Sequence, residues 1–309
     1  TVIKDILKEN KRLYRISKII SDLSQEIEVP AFLVGGCVRD LLLEPEKNSV
    51  DIDIMVEGDG IEFANALGKK LKVSTVVPFP KFATARIPYK ECEIEVASAR
   101  LESYDPKSRN PKDIIMTDIN EDLQRRDFTV NAMAISLEKD NIGSLIDPFD
   151  GFKDLNAKVL RTPMSDADIT FSDDPLRMIR AAYFSSKLDM EIDKDCLQSI
   201  KNNAERISIV SQERITNELF KILSTDRPSI GFILLQEVGL LEYVFPEIAI
   251  MYGLEQTSEY HHKDIFFHTL EVVDNVTRLS SKLDLRLAAL VHDIAKPKTR
   301  RIDKKKGYT

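Results

Sequence analysis

Leu33-Val34-Gly35-Gly36-Cys37-Val38-Arg39-Asp40, followed by Asp51-Ile52-Asp53, is the most informative part of this 309-residue sequence. An apolar run, two glycines and a helical pattern predict a strand, a tight turn and a helix. The N–H groups at a helix start attract anions, and glycine lets a phosphate approach closely. Arg39, on the first turn of that helix, would add a charge-assisted donor. Gly35, Gly36 and Arg39 are therefore candidate phosphate ligands.

The segment Val50–Val56 alternates acidic and apolar residues, which predicts a half-buried strand. Residues i and i+2 of a strand point to the same face, so Asp51 and Asp53 would share one site. Two adjacent carboxylates repel each other unless a cation neutralises them, and oxygen ligands suit Mg²⁺. Glu93 or Glu95, on a neighbouring strand, would complete a site for two Mg²⁺ ions. An isolated Asp-x-Asp is more often a solvent-facing strand, but the glycines and Arg39 upstream favour the metal site.

The first half of the chain has the patterns of a mixed sheet with flanking helices. Apolar spacing predicts a helix over residues 3–27 and another over Ile61–Leu71. Further strands are expected at the following segments: Ala31–Val34, Val73–Val77, Phe82–Ile87 and Cys92–Ala97. Residues 98–118 are polar and contain two prolines, so we expect a mobile loop there.

From about residue 160 only helical patterns follow, at 174–188, 194–205, 211–223, 229–238, 264–279 and 284–294. The fold class is therefore α+β, with an α/β head followed by an all-helical remainder. We place the head at residues 1–160, a helical neck at 161–225 and a helical body with a further domain at 226–309.

Composition excludes two classes of protein. A net charge of −7 argues against a chain that coats nucleic acid nonspecifically, so polyanions would be held by placed arginines and metal ions. No apolar run reaches the roughly 18–20 residues of a membrane span. The three cysteines (Cys37, Cys92, Cys196) lack metal-ligand spacing, and we expect buried thiols in a reducing cytoplasm.

Four further motifs follow in order. They are Arg125–Ala134 (RRDFTVNAMA), Asp147–Leu155 (DPFDGFKDL), Asp173–Ala181 (DDPLRMIRA) and Ser211–Leu219 (SQERITNEL). Together with the glycines, Arg39 and Asp-x-Asp, they resemble the motifs of the class II nucleotidyltransferases, within the DNA polymerase β superfamily. This family contains the bacterial CCA-adding tRNA nucleotidyltransferases and the related poly(A) polymerases. The resemblance spans roughly residues 30–225.

The resemblance implies roles for individual residues. Arg126 and Arg180 would bind the triphosphate, Asp127 and Asn131 would lie near the ribose, and Glu95 rather than Glu93 would complete the catalytic metal site of Asp51 and Asp53. One position departs from the family: many members have an arginine where this chain has Tyr183. That difference puts one phosphate or backbone contact in doubt, but not the class of reaction.

Asp174 and Arg177 form a plausible base reader. At spacing i, i+3 they would be neighbours on one helix face, and a carboxylate beside a guanidinium offers an acceptor next to donors. Cytosine and adenine both present an amino donor beside a ring-nitrogen acceptor, whereas uracil and guanine present the opposite order. One Asp–Arg pair would therefore select CTP and ATP without a nucleic-acid template. A bare i, i+3 pair is otherwise only a surface ion pair.

The last fifty residues contain all four histidines. His268 on one helix and His292-Asp293 after the next resemble the start of an HD metal-binding domain. Imidazoles with a carboxylate suit a transition metal. No convincing final aspartate follows Asp293, so we expect that the natural protein is longer and that this domain is incomplete.

The sequence therefore predicts an enzyme that uses two Mg²⁺ ions to add CTP and then ATP to the 3′ end of tRNA. A poly(A) polymerase would share the head motifs, but the HD segment argues against it. A split-function enzyme that adds only CC or only A would differ in the 78–118 region. A silent RNA-binding scaffold would have no reason to keep Asp51, Asp53 and Glu95.

Overall fold

The computed structural model describes residues 2–47, 51–104, 111–258 and 261–299, with side chains except at 2, 100–104, 111–116 and 255–263. The described chain forms two compact units. The amino-terminal unit ends at residue 157 and also includes 161–165; residues 158–160 and those from 166 onward form the carboxy-terminal unit. No helix within the described ranges is long and apolar enough to cross a membrane.

The amino-terminal unit combines six helices and nine strands in its described part. In chain order these are α1 Val2–Glu9, α2 Lys11–Ile27, β1 Ala31–Val34, α3 Gly36–Leu43, β2 Asp51–Val56, α4 Gly60–Leu71, β3 Val77–Phe79, β4 Thr84–Tyr89, β5 Cys92–Ser98, β6 Arg100–Tyr104, β7 Pro111–Met116, α5 Ile119–Gln124, β8 Ala134–Ser136, β9 Leu145–Ile146 and α6 Gly151–Ala157. Short 3₁₀ turns lie at Pro80–Phe82 and Thr129–Asn131.

Seven of these strands form one mixed sheet in the order β3-β4-β5-β2-β1-β8-β9, and β6 pairs with β7 separately. Within the sheet β2 and β5 run parallel, while the other neighbours are antiparallel. One hydrophobic cluster joins β1, β2 and β8 to helix α5 through Phe32, Met55, Leu123 and Ala134. Helix α2 buries Leu13, Ile16, Ile20 and Leu23, the spacing of one helix face.

The carboxy-terminal unit is mostly helical. Its elements are β10 Val159–Leu160, α7 Ala167–Asp173, α8 Leu176–Leu188, β11 Glu191–Ile192, α9 Lys194–Asn203, α10 Gln212–Leu223, α11 Pro228–Glu237, α12 Leu241–Val244, α13 Pro246–Ala249, β12 Glu255–Ser258, β13 His261–Asp264, α14 Ile265–Leu279, α15 Leu283–Val291 and α16 Lys296–Thr299, with a 3₁₀ turn at Ala204–Ile209. Helix α8 packs against both α10 and α11, and α14 packs against α15.

The predicted fold class is confirmed: a mixed sheet with flanking helices precedes a helical body. The helix predicted over residues 3–27 is two helices, because the Asn10 side chain accepts from the Leu13 N–H (2.9 Å) and caps α2. The cysteines are all buried, as expected. Burial and the neighbouring Asp53 charge raise the pKa of Cys37 to about 12, so its thiol stays protonated at neutral pH.

Three predictions about strands were wrong. Val73–Val77 was predicted as a strand, but β3 begins only at Val77, because strand pairing rather than β-branched composition sets its start. The predicted loop at 98–118 contains the paired strands β6 and β7; residues 105–110 lie outside the described part. The remainder is not all-helical either, since β10 pairs with β11 and β12 with β13. Pairs of two to four residues are too short to leave a clear period in a sequence.

The turn before α6 has no room for a side chain at Gly151. Asp147 accepts from the N–H groups of Gly151 (2.7 Å) and Phe152 (2.9 Å), which fixes the start of the helix. A Cβ at Gly151 would lie 2.2 Å from the Thr129 carbonyl oxygen and 2.8 Å from the Met133 side chain. The motif that contains Gly151 therefore packs α6 directly on the Thr129–Asn131 turn.

We expect Gly151→Ala to destabilise the chain by about 1–3 kcal/mol or more, since backbone atoms would have to move. Thermal unfolding followed by circular dichroism measures this effect. Gly36→Ala is the control in the same unit, because its Cβ would meet only Arg39 Nη2 at an ordinary 3.5 Å. Equal melting temperatures for the two variants would contradict the packing argument.

Candidate active site

Acidic side chains form two rows across the parallel strands β2 and β5. The register pairs Asp51 with Glu93 and Asp53 with Glu95. Residues between them, such as Ile52 and Ile94, are buried on the opposite face. The alternation therefore holds all four carboxylates on one face of the sheet, as the sequence predicts. Both Glu93 and Glu95 are on this face, so strand placement alone does not choose between them.

The surroundings of Asp53 disfavour its ionised form. Burial raises its pKa to about 6, and the Glu95 and Asp51 charges push in the same direction. The Arg126 and Arg39 guanidinium groups oppose this rise. A divalent cation beside these carboxylates would favour the ionised form of Asp53. A set of oxygen ligands of this kind fits Mg²⁺.

Gly35 lies between the acidic rows and Arg126. A Cβ at Gly35 would come within 2.9 Å of Arg126 Nη1 and 3.6 Å of Asp53 Oδ2. The backbone of Gly35 also has φ of +70°, a conformation that favours glycine. Helix α3 begins at the next residue, Gly36. The N–H groups of its first turn, which have no partner within the helix, therefore start beside Asp53 and Arg126. This arrangement suits a phosphate group.

Asp122 is a site residue that sequence reasoning missed. Its carboxylate is fully buried on α5 and accepts from Arg125 (2.6 Å) and from Arg126 Nη2 (3.2 Å). A buried carboxylate that receives two guanidinium groups fixes the direction of Arg126. The i, i+4 spacing of Asp122 and Arg126 was the available signal.

Arg39, Asn131 and Asp127 form one buried chain of hydrogen bonds. Arg39 donates to Asn131 Oδ1 (2.5 Å) and Asn131 donates to Asp127 Oδ1 (3.0 Å). Arg39 is only 3% exposed and also pairs with Asp40 (2.7 Å). In this arrangement Arg39 fixes the orientation of Asn131 and, through it, links to Asp127. A direct bond from Arg39 to phosphate stays a prediction.

Arg86 is a second residue that the sequence reasoning missed. It stands on β4 directly opposite Glu95, donates to Glu95 Oε2 (2.9 Å) and lies 3.6 Å from Glu93 Oε1. Its guanidinium also covers the Phe79 ring at 5.3 Å. The alternation of β4 indicates the face of Arg86, but no local pattern shows that it lies opposite Glu95.

The predicted base reader belongs to the carboxy-terminal unit, and one premise about it was wrong. Asp174 does not lie on helix α8 with Arg177; it precedes the helix in an extended conformation. Pro175 is the reason, since the residue before proline is disfavoured in the helical region. The Asp174 carboxylate is held by Arg214 (3.0 Å), a motif residue to which no role had been given.

The remaining predicted residues line helix α8. Arg177 donates to the Thr170 carbonyl (3.3 Å), and Arg180 lies over the Phe184 ring (5.2 Å) and 3.8 Å from Glu218. Tyr183, the departure from the family pattern, is next along this face, and Lys187 Nζ lies 5.7 Å from its ring centroid. This face of α8 therefore presents cationic and aromatic side chains, which suit the binding of nucleotides and RNA.

His268, His292 and Asp293 come together as the sequence predicts. Their ligand atoms all lie within 4.8 Å of one another. His292 Nδ1 lies 2.7 Å from the Ala289 carbonyl, which leaves Nε2 as the ligand atom. This donor set fits a transition metal. The Lys296 ammonium group forms an ion pair with the Asp293 carboxylate (2.7 Å).

Profiles of three protein families match the chain in order. "Poly A polymerase head domain" matches residues 31–161, "Probable RNA and SrmB- binding site of polymerase A" matches 189–251, and "HD domain" matches 265–309. A solved tRNA nucleotidyltransferase, complexed with a primer tRNA and an incoming ATP analog, superposes with a TM-score of 0.71. It is 30% identical, and the match covers 89% of this chain and 75% of that one.

The chain belongs to the tRNA nucleotidyltransferase and poly(A) polymerase family.

Curated relatives in this family differ in their names. A multifunctional CCA protein of Shewanella frigidimarina is 36% identical over 289 residues, which is 90% of this chain and 65% of the relative. An A-adding tRNA nucleotidyltransferase of Geobacter sulfurreducens is 32% identical over 269 residues, 86% of this chain and 28% of the relative. The chain thus spans less than two thirds of these nucleotidyltransferases.

The raised pKa of Asp53 predicts an unusual pH dependence of stability. Between the ordinary value of 3.8 and about 6, the unfolded chain releases a proton that the folded chain keeps. Stability contributed by this group is therefore lost as the pH rises through that window, by up to about 3 kcal/mol. We expect Asp53→Asn to raise the melting temperature of the metal-free chain at pH 7.5 but hardly at pH 4.

Differential scanning calorimetry with EDTA measures both values. Asp140→Asn, an exposed carboxylate in the same unit, is the control and should change neither. If Asp53→Asn were equally stabilising at the two pH values, the charge of Asp53 would not be the cause.

Proposed function

We propose that this chain is a template-independent tRNA nucleotidyltransferase that adds CCA to tRNA 3′ ends from CTP and ATP. The observation that carries the proposal is the acidic face of β2 and β5, with Gly35 and Arg126 directly beside Asp53. Carboxylates for divalent cations next to donors for phosphate are what nucleotidyl transfer requires. The multifunctional CCA proteins among the relatives support the substrate choice.

Asp51, Asp53 and Glu95 would hold two Mg²⁺ ions, which supply Lewis-acid activation of the RNA 3′-hydroxyl and neutralise the leaving pyrophosphate. Arg126 is aimed by Asp122 towards this side of the site, and the α3 N-terminus offers N–H groups to the triphosphate. Asn131 and Asp127, fixed to each other and to Arg39, provide polar groups for the ribose. Arg180 is a further triphosphate ligand in the proposal.

Asp174 and Arg177 would read the base. The amino group of cytosine or adenine donates to the Asp174 carboxylate, and the Arg177 guanidinium donates to the ring nitrogen. Arg214 donates to the carboxylate (3.0 Å) and thereby orients it as an acceptor. Uracil and guanine would place an N–H against Arg177 and an oxygen against Asp174, which leaves both pairs unmatched.

A groove on the carboxy-terminal unit supports RNA as the partner. It has a volume of about 300 Å³ and is lined by Tyr183, Lys187, Asn217, Phe220, Lys221 and Ser224 with Thr225. Two lysines and two aromatic rings are among its lining residues, although the net charge of the chain is −7. One of the lysines, Lys221, also pairs with Glu218 (2.7 Å). Aromatic faces and cations together are typical of sites for RNA strands.

A second candidate is an enzyme that adds only the terminal A. The observation in its favour is that A-adding tRNA nucleotidyltransferases of Geobacter sulfurreducens and Aquifex aeolicus match this chain at 32% and 38% identity. In the proposed mechanism both activities would use the same carboxylates, and cytosine and adenine present the same order of donor and acceptor. The substrates that are accepted therefore decide between them.

The deciding experiment uses tRNA transcripts that end before CCA or after CC, with Mg²⁺ and CTP, ATP or both. CCA addition predicts growth by three residues on the first transcript when both nucleotides are present. Growth of only the CC-ended transcript, by one A, would identify an A-adding enzyme. Long A tails would identify a poly(A) polymerase, and no incorporation would contradict all three.

We expect Asp51→Asn and Asp53→Asn each to lower the rate of CTP addition by more than about 100-fold. Mutation of residues that only hydrogen-bond to metal ligands typically lowers metal affinity or activity by about 10–100-fold, and a ligand itself should matter more. Single-turnover assays at saturating tRNA and CTP measure the rate. Asp140→Asn is again the control. Addition at the wild-type rate by either variant would remove that carboxylate from the mechanism.

The groove predicts a separate effect on tRNA binding. Lys187→Glu should raise the KM for tRNA by about fivefold or more and reduce the salt dependence of binding by about one charge, while the KM for CTP is unchanged. Lys201→Glu is the control, because Lys201 is an exposed lysine on helix α9 outside the groove. Equal effects of the two variants would mean that the groove has no particular role.

A further inference from the structure

The acidic face of the amino-terminal unit already contains a cation of its own. Arg86 on β4 stands in the same row as Glu95 and Asp53, because β4 pairs with β5 and β5 pairs with β2 in register. With strands roughly 4.8 Å apart, the Cα atoms of Arg86 and Asp53 are about 10 Å from each other. The long arginine side chain brings its guanidinium closer, towards the centre of the face.

The guanidinium contacts both candidate third carboxylates. Its Nε lies 2.9 Å from Glu95 Oε2, and its Nη1 lies 3.6 Å from Glu93 Oε1. The guanidinium also lies over the Phe79 ring, with its Cζ 5.3 Å from the ring centroid. Arg86 therefore occupies one oxygen of Glu95, the residue proposed to bind metal beside Asp53.

An ordinary cross-strand ion pair would explain part of this geometry, since such pairs add slightly to the stability of a sheet. The side chains of Arg86 and Glu95 are 48% and 37% exposed, so this pair contributes little stability. An arginine that turned outward to solvent would satisfy its charge equally well. Instead the guanidinium lies against Glu95, which is proposed to bind metal, and near Glu93 on the same face.

We propose that Arg86 is a positioning residue that competes with the divalent cation for the acidic face. While no nucleotide is bound, it holds Glu95 and lowers the affinity of the face for metal. A triphosphate brings negative charge with which the guanidinium can pair, and Glu95 is then released to the metal. The metal thus binds more tightly when a nucleotide is present. This inference rests on the proposed two-metal function.

The test measures Mn²⁺ binding to the full chain without nucleotide, by the electron paramagnetic resonance signal of free Mn²⁺ at low ionic strength. Every chain compared, including the wild-type reference, carries His292→Ala, because His268, His292 and Asp293 would also take up Mn²⁺. A unit charge about 8 Å from a divalent ion in water changes its affinity by roughly fivefold. Arg86→Gln is therefore expected to bind Mn²⁺ about three- to tenfold more tightly than the wild type. Arg86→Lys keeps the charge and should stay within about twofold.

Lys90→Gln is the matched control, because it removes the same charge from the turn between β4 and β5. Thermal unfolding establishes that each variant is folded. An Arg86→Gln affinity equal to or weaker than that of the wild type would overturn the inference, as would equal tightening by Lys90→Gln.

Failure of the proposed function gives a different result from failure of this inference. If the wild type binds no Mn²⁺ that Mg²⁺ displaces, or if Asp53→Asn binds it unchanged, the metal site itself is wrong. If the wild type binds through Asp53 but Arg86→Gln does not bind more tightly, only the role of Arg86 is wrong.

Discussion

The parallel pairing of β2 and β5 is the constraint on which the amino-terminal unit depends. It sets Asp53 beside Glu95 and Asp51 beside Glu93, a juxtaposition that electrostatic repulsion opposes. The opposite face offsets that repulsion, since Ile52, Ile54, Ile94 and Val96 are all almost fully buried there. A one-residue slip would bury the acids and expose the apolar side chains, so the hydrophobic pattern fixes the register.

Positive charge around this face is held at fixed places rather than spread over the surface. Asp122 is fully buried and directs Arg126, while Asn131 receives Arg39. Each guanidinium is oriented by a partner that is itself buried. Little side-chain ordering would then remain when a polyanion binds, which is how preorganised sites stabilise developing charge. Gly35 completes the arrangement because any side chain there would collide with Arg126.

Much of this architecture could be predicted because it follows local rules. The alternation of Asp51–Val56 and of Cys92–Ser98 gives the faces of two strands, and helical spacing gives α8, α10 and α14 to within a few residues. Contacts that depend on pairing partners could not be predicted. Arg86 gains its meaning only from lying opposite Glu95, and β6 gains its structure only from β7. Neither pairing leaves a period in the sequence.

The position of Asp174 before helix α8, rather than within it as predicted, matters for the proposed reading of the base. A residue within a helix would point its side chain along the helix surface, where its direction varies with the rotamer. Asp174 is instead held at three points: its carbonyl accepts from the Arg177 N–H (3.0 Å), its carboxylate accepts weakly from the Leu176 N–H (3.3 Å), and Arg214 binds the carboxylate from α10. Pro175 prevents the backbone from joining the helix. Discrimination between bases needs an acceptor whose direction is fixed, because a carboxylate that turned freely could adapt to either order of donor and acceptor. If Asp174 and Arg177 read the base as proposed, the proline and Arg214 would therefore contribute to selectivity by fixing the direction of the acceptor.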